Sequence, residues 1–177
     1  MPRGSDDPLV AGLAAGRQEA LAAVYDRFAP RLLAAAWGLL GSREEAEDAV
    51  QEVFLNLVRS RATLEHVGSL QGYLFTALRH AAVRRWSRRA RDRAPTDLGA
   101  AERLAAPDPP PAERPGSLER ALQALPPEQR EVVALKIDGG LTFAEIAAVL
   151  GTSINTAASR YRYALEKLRE RLKEERT

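Results

Sequence analysis

The chain has no cysteine, so neither a disulfide nor a thiolate metal site can form within it, and this usage fits a reducing compartment. It has two histidines, His66 and His80, in no HExxH or comparable metal-ligand spacing. There is no glycine-rich phosphate loop and no nucleophile with a paired base. These absences argue against an enzyme, and no cofactor is expected. No apolar run approaches the ~18 residues of a membrane-spanning helix. The opening MPRGSDDPLV lacks the apolar core of a secretory signal. The chain is therefore expected to be soluble and cytoplasmic, with no membrane insertion. An excess of one charge is lacking too: 26 Lys and Arg face 24 Asp and Glu, for a net charge of +2. Any basic surface must then be local. A length of 177 residues suits one large domain or two small ones.

The most informative segment is TFAEIAAVLGTSINTAASRYRYALEKLRERL, from Thr142 to Leu172. Thr142 and Glu145 have the spacing of a capping box, which starts a helix. Ile146, Ala147, Val149 and Leu150 make its apolar side. Gly151 stands where that helix must stop, and Thr152-Ser153 can cap the next one. Ala157, Leu165, Leu168 and Leu172 then recur on one helical face. The opposite face carries Asn155, Thr156, Ser159, Arg160, Arg162 and Tyr163. A helix-turn-helix brings the first turns of its second helix to base edges, where short polar groups and arginines belong. A capped helical pair with solvated arginines would carry the same pattern.

Residues 94–116 hold six of the 11 prolines and little apolar periodicity, which marks a linker. Its 23 residues, fully extended, reach roughly 75 Å. That is about two turns of duplex at ~34 Å each. The stretch suits both a spacer between two DNA-contacting domains and an ordinary tether.

Before the linker the pattern is helical throughout. Leu21, Val24, Tyr25 and Phe28 define one amphipathic helix. Pro30 is read as the first turn of a second, which runs through Leu32, Leu33, Ala36, Trp37, Leu39 and Leu40 to a stop at Gly41. Ser42 with Glu45 reads as another capping box, opening a helix to about Ser60. Its core face is Ala46, Ala49, Val50, Val53, Phe54 and Leu57. Its other face begins acidic, with Glu44, Glu45, Glu47, Asp48 and Glu52. Acids there suit the helix dipole, and they also suit docking on a basic partner helix. Ser69 can cap a further helix from Leu70 to about Arg93. Tyr73, Leu74, Ala77, Leu78, Ala81 and Val83 cover its early apolar positions. Its end, RHAAVRRWSRRARDR, has seven arginines against the single acid Asp92. Such density exceeds what a helix dipole calls for and suits phosphate neutralisation. Trp86, within it, is expected to pack on the bundle.

The ordered set SREEAEDAVQEVFLNLVR, SLQGYLFTALRHAAVRRWSRR, a Pro-rich gap, and LPPEQREVVALKIDGGLTFAEIAAVLGTSINTAASRYRYALEKLR resembles the extracytoplasmic-function (ECF) sigma factors of the sigma-70 family. The resemblance runs from about Gln18 to Leu172. It implies an all-α fold of two small helical domains: region 2 over residues 9–93 and a helix-turn-helix region 4 over 117–173, with 94–116 between them. It implies a subunit that binds core RNA polymerase and directs it to promoters, and in many relatives an anti-sigma factor as a further partner. Asp48, Gln51, Glu52 and Phe54 match the motif that docks on the clamp helices of the largest polymerase subunit. Tyr73, Arg79, His80, Arg84, Arg85, Arg88 and Arg89 lie on the counterpart of the helix that reads and melts the -10 element. Asn155, Thr156, Ser159, Arg160, Arg162 and Tyr163 lie on the counterpart of the -35 reader.

The chain departs from the family pattern at three places. His80 replaces the usual Asn beside the base pocket, and Arg84 replaces an acid. Ala157-Ala158 replaces a common Val-Lys pair. The first two bear on -10 sequence preference and melting. A second reading therefore stands beside an active sigma factor: a sigma-like protein that occupies polymerase or an anti-sigma factor without melting promoters.

Overall fold

The computed structural model describes residues 8–92 and 116–174. All regular structure among them is helical: α1 (Pro8–Ala14), α2 (Gln18–Leu40), α3 (Arg43–Arg59), α4 (Leu70–Asp92), α5 (Ser117–Gln123), α6 (Pro127–Val133), α7 (Phe143–Leu150) and α8 (Ile154–Glu174). A 3₁₀ turn at Arg61–His66 joins α3 to α4, and a π turn at Ala134–Asp138 extends α6. The expected linker lies outside the described residues, apart from Gly116.

Local signals account for most helix ends. Gly41 and Gly151 take φ of 68° and 63°, the left-handed conformation that closes α2 and α7. Thr142 and Glu145 form the full capping box of α7. Ser69 Oγ accepts from the Gly72 N–H, and Ser153 Oγ accepts from the Thr156 N–H, both at 3.0 Å.

Two expectations differ from the structure. Pro30 does not begin a helix but lies inside the 23-residue α2. Pro30 and Asp26 are both exposed, so the hydrogen bond the proline cannot make falls on the solvent side. The buried run Val24, Phe28, Leu32, Ala35, Leu39 passes on the opposite side and holds the helix together. At α3, Ser42 Oγ does accept from the Glu45 N–H, at 3.4 Å, but the reciprocal half of the box is absent. The Glu45 carboxylate instead takes two nitrogens of Arg89 from α4. The guanidinium fork gives that carboxylate two charged donors in place of the single backbone N–H of a capping box.

The whole expected core face of α3 is buried, as are Leu74, Leu78 and Ala81 of α4. The two helical segments share this core. Phe75 of α4 is fully buried, and a Cβ added at Gly139 would come within 2.9 Å of its ring. Leu135, Leu141, Ile146 and Val149 belong to the same apolar cluster as Leu32, Leu57 and Leu78. A second, smaller cluster of Ala121, Leu125, Val133, Ala164 and Leu168 binds α5, α6 and α8. Each fully buried Leu, Ile or Phe contributes about 1.5–3 kcal/mol of transfer free energy, so the shared core is a substantial part of the fold.

Candidate nucleic-acid and partner interfaces

A groove of about 940 Å³ runs between α2 and α3. Its floor and walls include Ala29, Leu33, Val50 and Phe54, and its rim includes the acids Asp26, Glu47 and Asp48. Tyr25, Leu55 and Val58 line it at 53%, 50% and 42% exposure, an unusual concentration of apolar surface in water. The Tyr25 and Phe54 rings stack at a tilt, with centroids 4.9 Å apart. Of the residues expected to dock a partner, Asp48, Gln51 and Phe54 lie in this groove. Glu52 points elsewhere: its two oxygens receive Arg84 and Arg85 of α4. Burial opposes ionisation of Glu52, but Arg85 and Arg84 outweigh it and hold its carboxyl below the usual range.

A second cleft, of about 520 Å³, lies where α3 ends and α4 begins. Asn56, Ser60, Tyr73, Thr76, His80 and Arg84 line it, so hydroxyls, an amide, an imidazole and a guanidinium face one space beside an aromatic ring. That set can hydrogen-bond and stack on a flat heteroaromatic group. From there the basic face of α4 continues. Arg88 is exposed. Arg89 is held by Glu45 and by the Leu40 carbonyl, and Arg79 by Glu131. Four of the six expected arginine and histidine contacts thus have an acid as partner. Trp86 is partly buried against the bundle, as expected, and its indole N–H is buried without an acceptor among the described residues.

On α8, Asn155, Arg162 and Tyr163 are exposed, while Thr156, Ser159 and Arg160 are partly covered. The Arg162 guanidinium lies 5.3 Å over the Tyr163 ring. The Thr156 hydroxyl is shared with the Ser153 cap at 2.8 Å. Arg160 acts electrostatically on the Glu131 carboxylate, which also receives Arg79.

Sequence reasoning missed Tyr25, Leu55 and Val58 as groove residues, although Tyr25 belonged to the apolar stripe of α2. It also missed Glu131, one acid of the LPPEQRE run whose burial no local pattern signals.

A helical protein with an acid-rimmed apolar groove, a basic helix beside a polar cleft and a helix-turn-helix is a multi-surface DNA-binding subunit. Comparison with known proteins specifies it. The profile "Sigma-70 region 2" matches residues 24–92, and "Sigma-70, region 4" matches residues 116–168. The chain is 34% identical over 161 residues to the RNA polymerase sigma factor CarQ of Myxococcus xanthus, covering 90% of this chain and 92% of that one. It is 35% identical over 153 residues to the ECF RNA polymerase sigma factor SigE of Mycolicibacterium smegmatis, but spans only 58% of SigE's length. Among solved structures, the sigma factor RpoE of Bartonella quintana, in complex with the anti-sigma factor NepR, aligns with a TM-score of 0.66 at 26% identity, covering 86% of this chain and 96% of that one. CnrH, in complex with the cytosolic domain of CnrY, shares the fold with a TM-score of 0.71 at 23% identity over 96% of this chain and 98% of that one. The chain belongs to the ECF sigma factors of the sigma-70 family. Proteins of this family bind core RNA polymerase and direct it to promoters. No helix among the described residues is long and apolar enough to cross a membrane.

Proposed function

We propose that the chain acts in the cytoplasm as an ECF sigma factor through three surfaces, with no chemistry of its own. Residues 9–93 form region 2 and residues 117–173 form region 4, with 94–116 between them. The groove between α2 and α3 takes the polymerase clamp helices: Phe54, Tyr25 and Leu55 supply apolar anchors, and Asp48 and Gln51 set the register. The cleft around Tyr73 and His80 receives a base extruded from the -10 element, and Arg84, Arg85, Arg88 and Arg89 line the approach for phosphates. The first turns of α8 read the -35 element through Asn155, Thr156, Ser159, Arg160, Arg162 and Tyr163. Similarity to RpoE, whose structure is a complex with the anti-sigma factor NepR, adds an anti-sigma factor to the proposed partners.

The observation that carries this reading is the apolar groove with its acidic rim, an exposed apolar patch of the kind that marks a protein–protein contact. Its test is polymerase capture with the full chain. Leu55→Ala and Asp48→Ala, both at exposed positions, are expected to reduce recovery of core polymerase about tenfold together, while circular dichroism stays unchanged. Equal recovery would remove the docking assignment. Reconstituted transcription from genomic promoter fragments then separates a promoter-melting factor from a sigma-like protein that only occupies polymerase.

A further inference from the structure

The cleft where α3 ends and α4 begins holds one side chain that can only donate. Asn56, Ser60, Tyr73, Thr76 and His80 can each donate and accept, whereas the Arg84 guanidinium has N–H donors and no acceptor. No carboxylate is among the described residues that line the cleft. Arg84 is half exposed, yet it is held. It donates to one oxygen of Glu52, whose other oxygen accepts from Arg85 at 3.0 Å. Arg85 is anchored in turn. It donates to the Ala81 carbonyl at 3.1 Å, and its side chain is only 14% exposed. Glu52 therefore ties Arg84 to α3 and, through Arg85, to the backbone of α4. The remaining N–H groups of the Arg84 fork are left for a ligand. The family pattern that the chain resembles has an acid at this position, so the fork is this chain's own.

We propose that the cleft selects guanine, with Arg84 donating to its O6 and N7 and Glu52 acting as the positioning residue that aims the fork. The proposal rests on the reading that this cleft receives an extruded base of the -10 element. A planar fork of donors is matched by two acceptors side by side. Guanine presents O6 and N7 on one edge. Adenine sets its N6 amino donor beside N7, and thymine sets a methyl group beside O4, so neither gives the fork a second acceptor. A fork donor facing an amino group is desolvated without a partner, and that cost turns a contact into discrimination. Cytosine, once unpaired, also has two adjacent acceptors, O2 and N3. Its single ring covers less of Tyr73 in a stack than a purine does, and stacking adds to the affinity for an extruded base. Asn56 and the hydroxyls of Ser60 and Thr76 can serve either a donor or an acceptor, so the choice of base falls to Arg84. Arg84 thereby serves the base itself as well as the approach to it.

The test uses the full chain assembled with core polymerase and a short fluorescent single strand. The strand is a thymine tract carrying one guanine, adenine or cytosine, and core polymerase alone gives the baseline. The assembled protein is expected to bind the guanine strand about tenfold more tightly than the others, the discrimination that one bidentate base contact supplies. Replacing the guanine by 7-deazaguanine, which lacks the N7 acceptor, should remove most of that preference. Hypoxanthine, which keeps O6 and N7, should retain it. Arg84→Lys keeps the charge but not the fork, so it should abolish the preference while binding of the plain thymine tract stays largely unchanged. Glu52→Gln loosens the fork, and the guanine preference should fall several-fold while affinity for the thymine tract does not fall. A guanine preference that survives Arg84→Lys would show that Arg84 meets only phosphate and would overturn the proposal, as would a preference for cytosine. A preference unchanged in Glu52→Gln would remove Glu52 as the positioning residue. Equal affinity for every strand, above the baseline, would overturn guanine selection and leave an unselective base cleft. Binding no tighter than that of core polymerase alone would remove the base-receiving role and the selection with it.

Discussion

Gln71 of α4 and Glu145 of α7 are joined by a hydrogen bond of 3.0 Å between Nε2 and Oε1. The other oxygen of Glu145 receives the N–H and hydroxyl of Thr142, at 2.7 and 2.8 Å. One carboxylate therefore completes the cap of the helix-turn-helix and ties it to the basic helix. Gln71→Ala removes the tie and the hydrogen bond that Gln71 Oε1 accepts from Arg31 at 3.0 Å, and leaves the cap intact. It is expected to cost about 2 kcal/mol, as two hydrogen bonds do, and to lower the melting temperature by about 4–8 °C. The cap survives, so thermal melts should move while the helicity of α7 does not.

Arg160→Ala should weaken binding to the -35 element by about 1–3 kcal/mol if the arginine contacts a base there. The measurement is promoter affinity with single-base variants of the element. Unchanged affinity and unchanged base preference would remove the residue from the reading set.

Glu52→Gln releases Arg84 and Arg85 from their shared acid. Each arginine that then meets a phosphate steepens the dependence of log affinity on log salt by about 0.9. Titrations of the variant at several salt concentrations should therefore give a steeper slope than the native chain, with tighter binding at low salt.

Asp138 lies against α2, where an added Gly38 Cβ would be 3.0 Å from its Oδ2, and burial raises its pKa above the ordinary 3.8. The folded chain then keeps a proton that the unfolded chain releases. Stability falls as pH rises from about the ordinary aspartate value through the raised one. Asp138→Asn should melt higher than the native chain at pH 7, and the difference should vanish in acid below pH 3.8, where both side chains are neutral. Glu131, raised by burial against the opposing pull of Arg79, has the same sign and is present in both proteins. A constant difference across pH would show that the Asp138 charge is not the cause.

The helices were legible wherever a capping residue met a stretch of apolar residues at helical spacing. Ser42, Thr142, Gly41 and Gly151 mark ends that the structure keeps. The α3 core face was legible because one side of that helix is buried and the other is not. Phe75 was not, because α4 is buried on two sides. Leu74, Leu78 and Ala81 face the bundle, and Phe75 faces Gly139 in a segment more than sixty positions away. Pro30 misled because only exposure reveals that its missing hydrogen bond falls harmlessly on the solvent side.

The same division holds for the surfaces. The sequence by itself determined which residue types are present and where several helices begin or end, at Ser42, Thr142, Gly41 and Gly151, since caps, turns and periodicity act within a few residues. From these it specified an all-helical chain with an acidic helix, an arginine-rich helix and a helix-turn-helix. Tertiary structure decided which charges are free. Arg84, Arg85, Arg89 and Arg79 read alike in the sequence, yet each meets a carboxylate supplied by another helix. It also decided that Tyr25, Leu55 and Val58 remain uncovered while Phe75 does not. Pairing and burial depend on which faces are brought together across long separations, and local spacing carries no record of that.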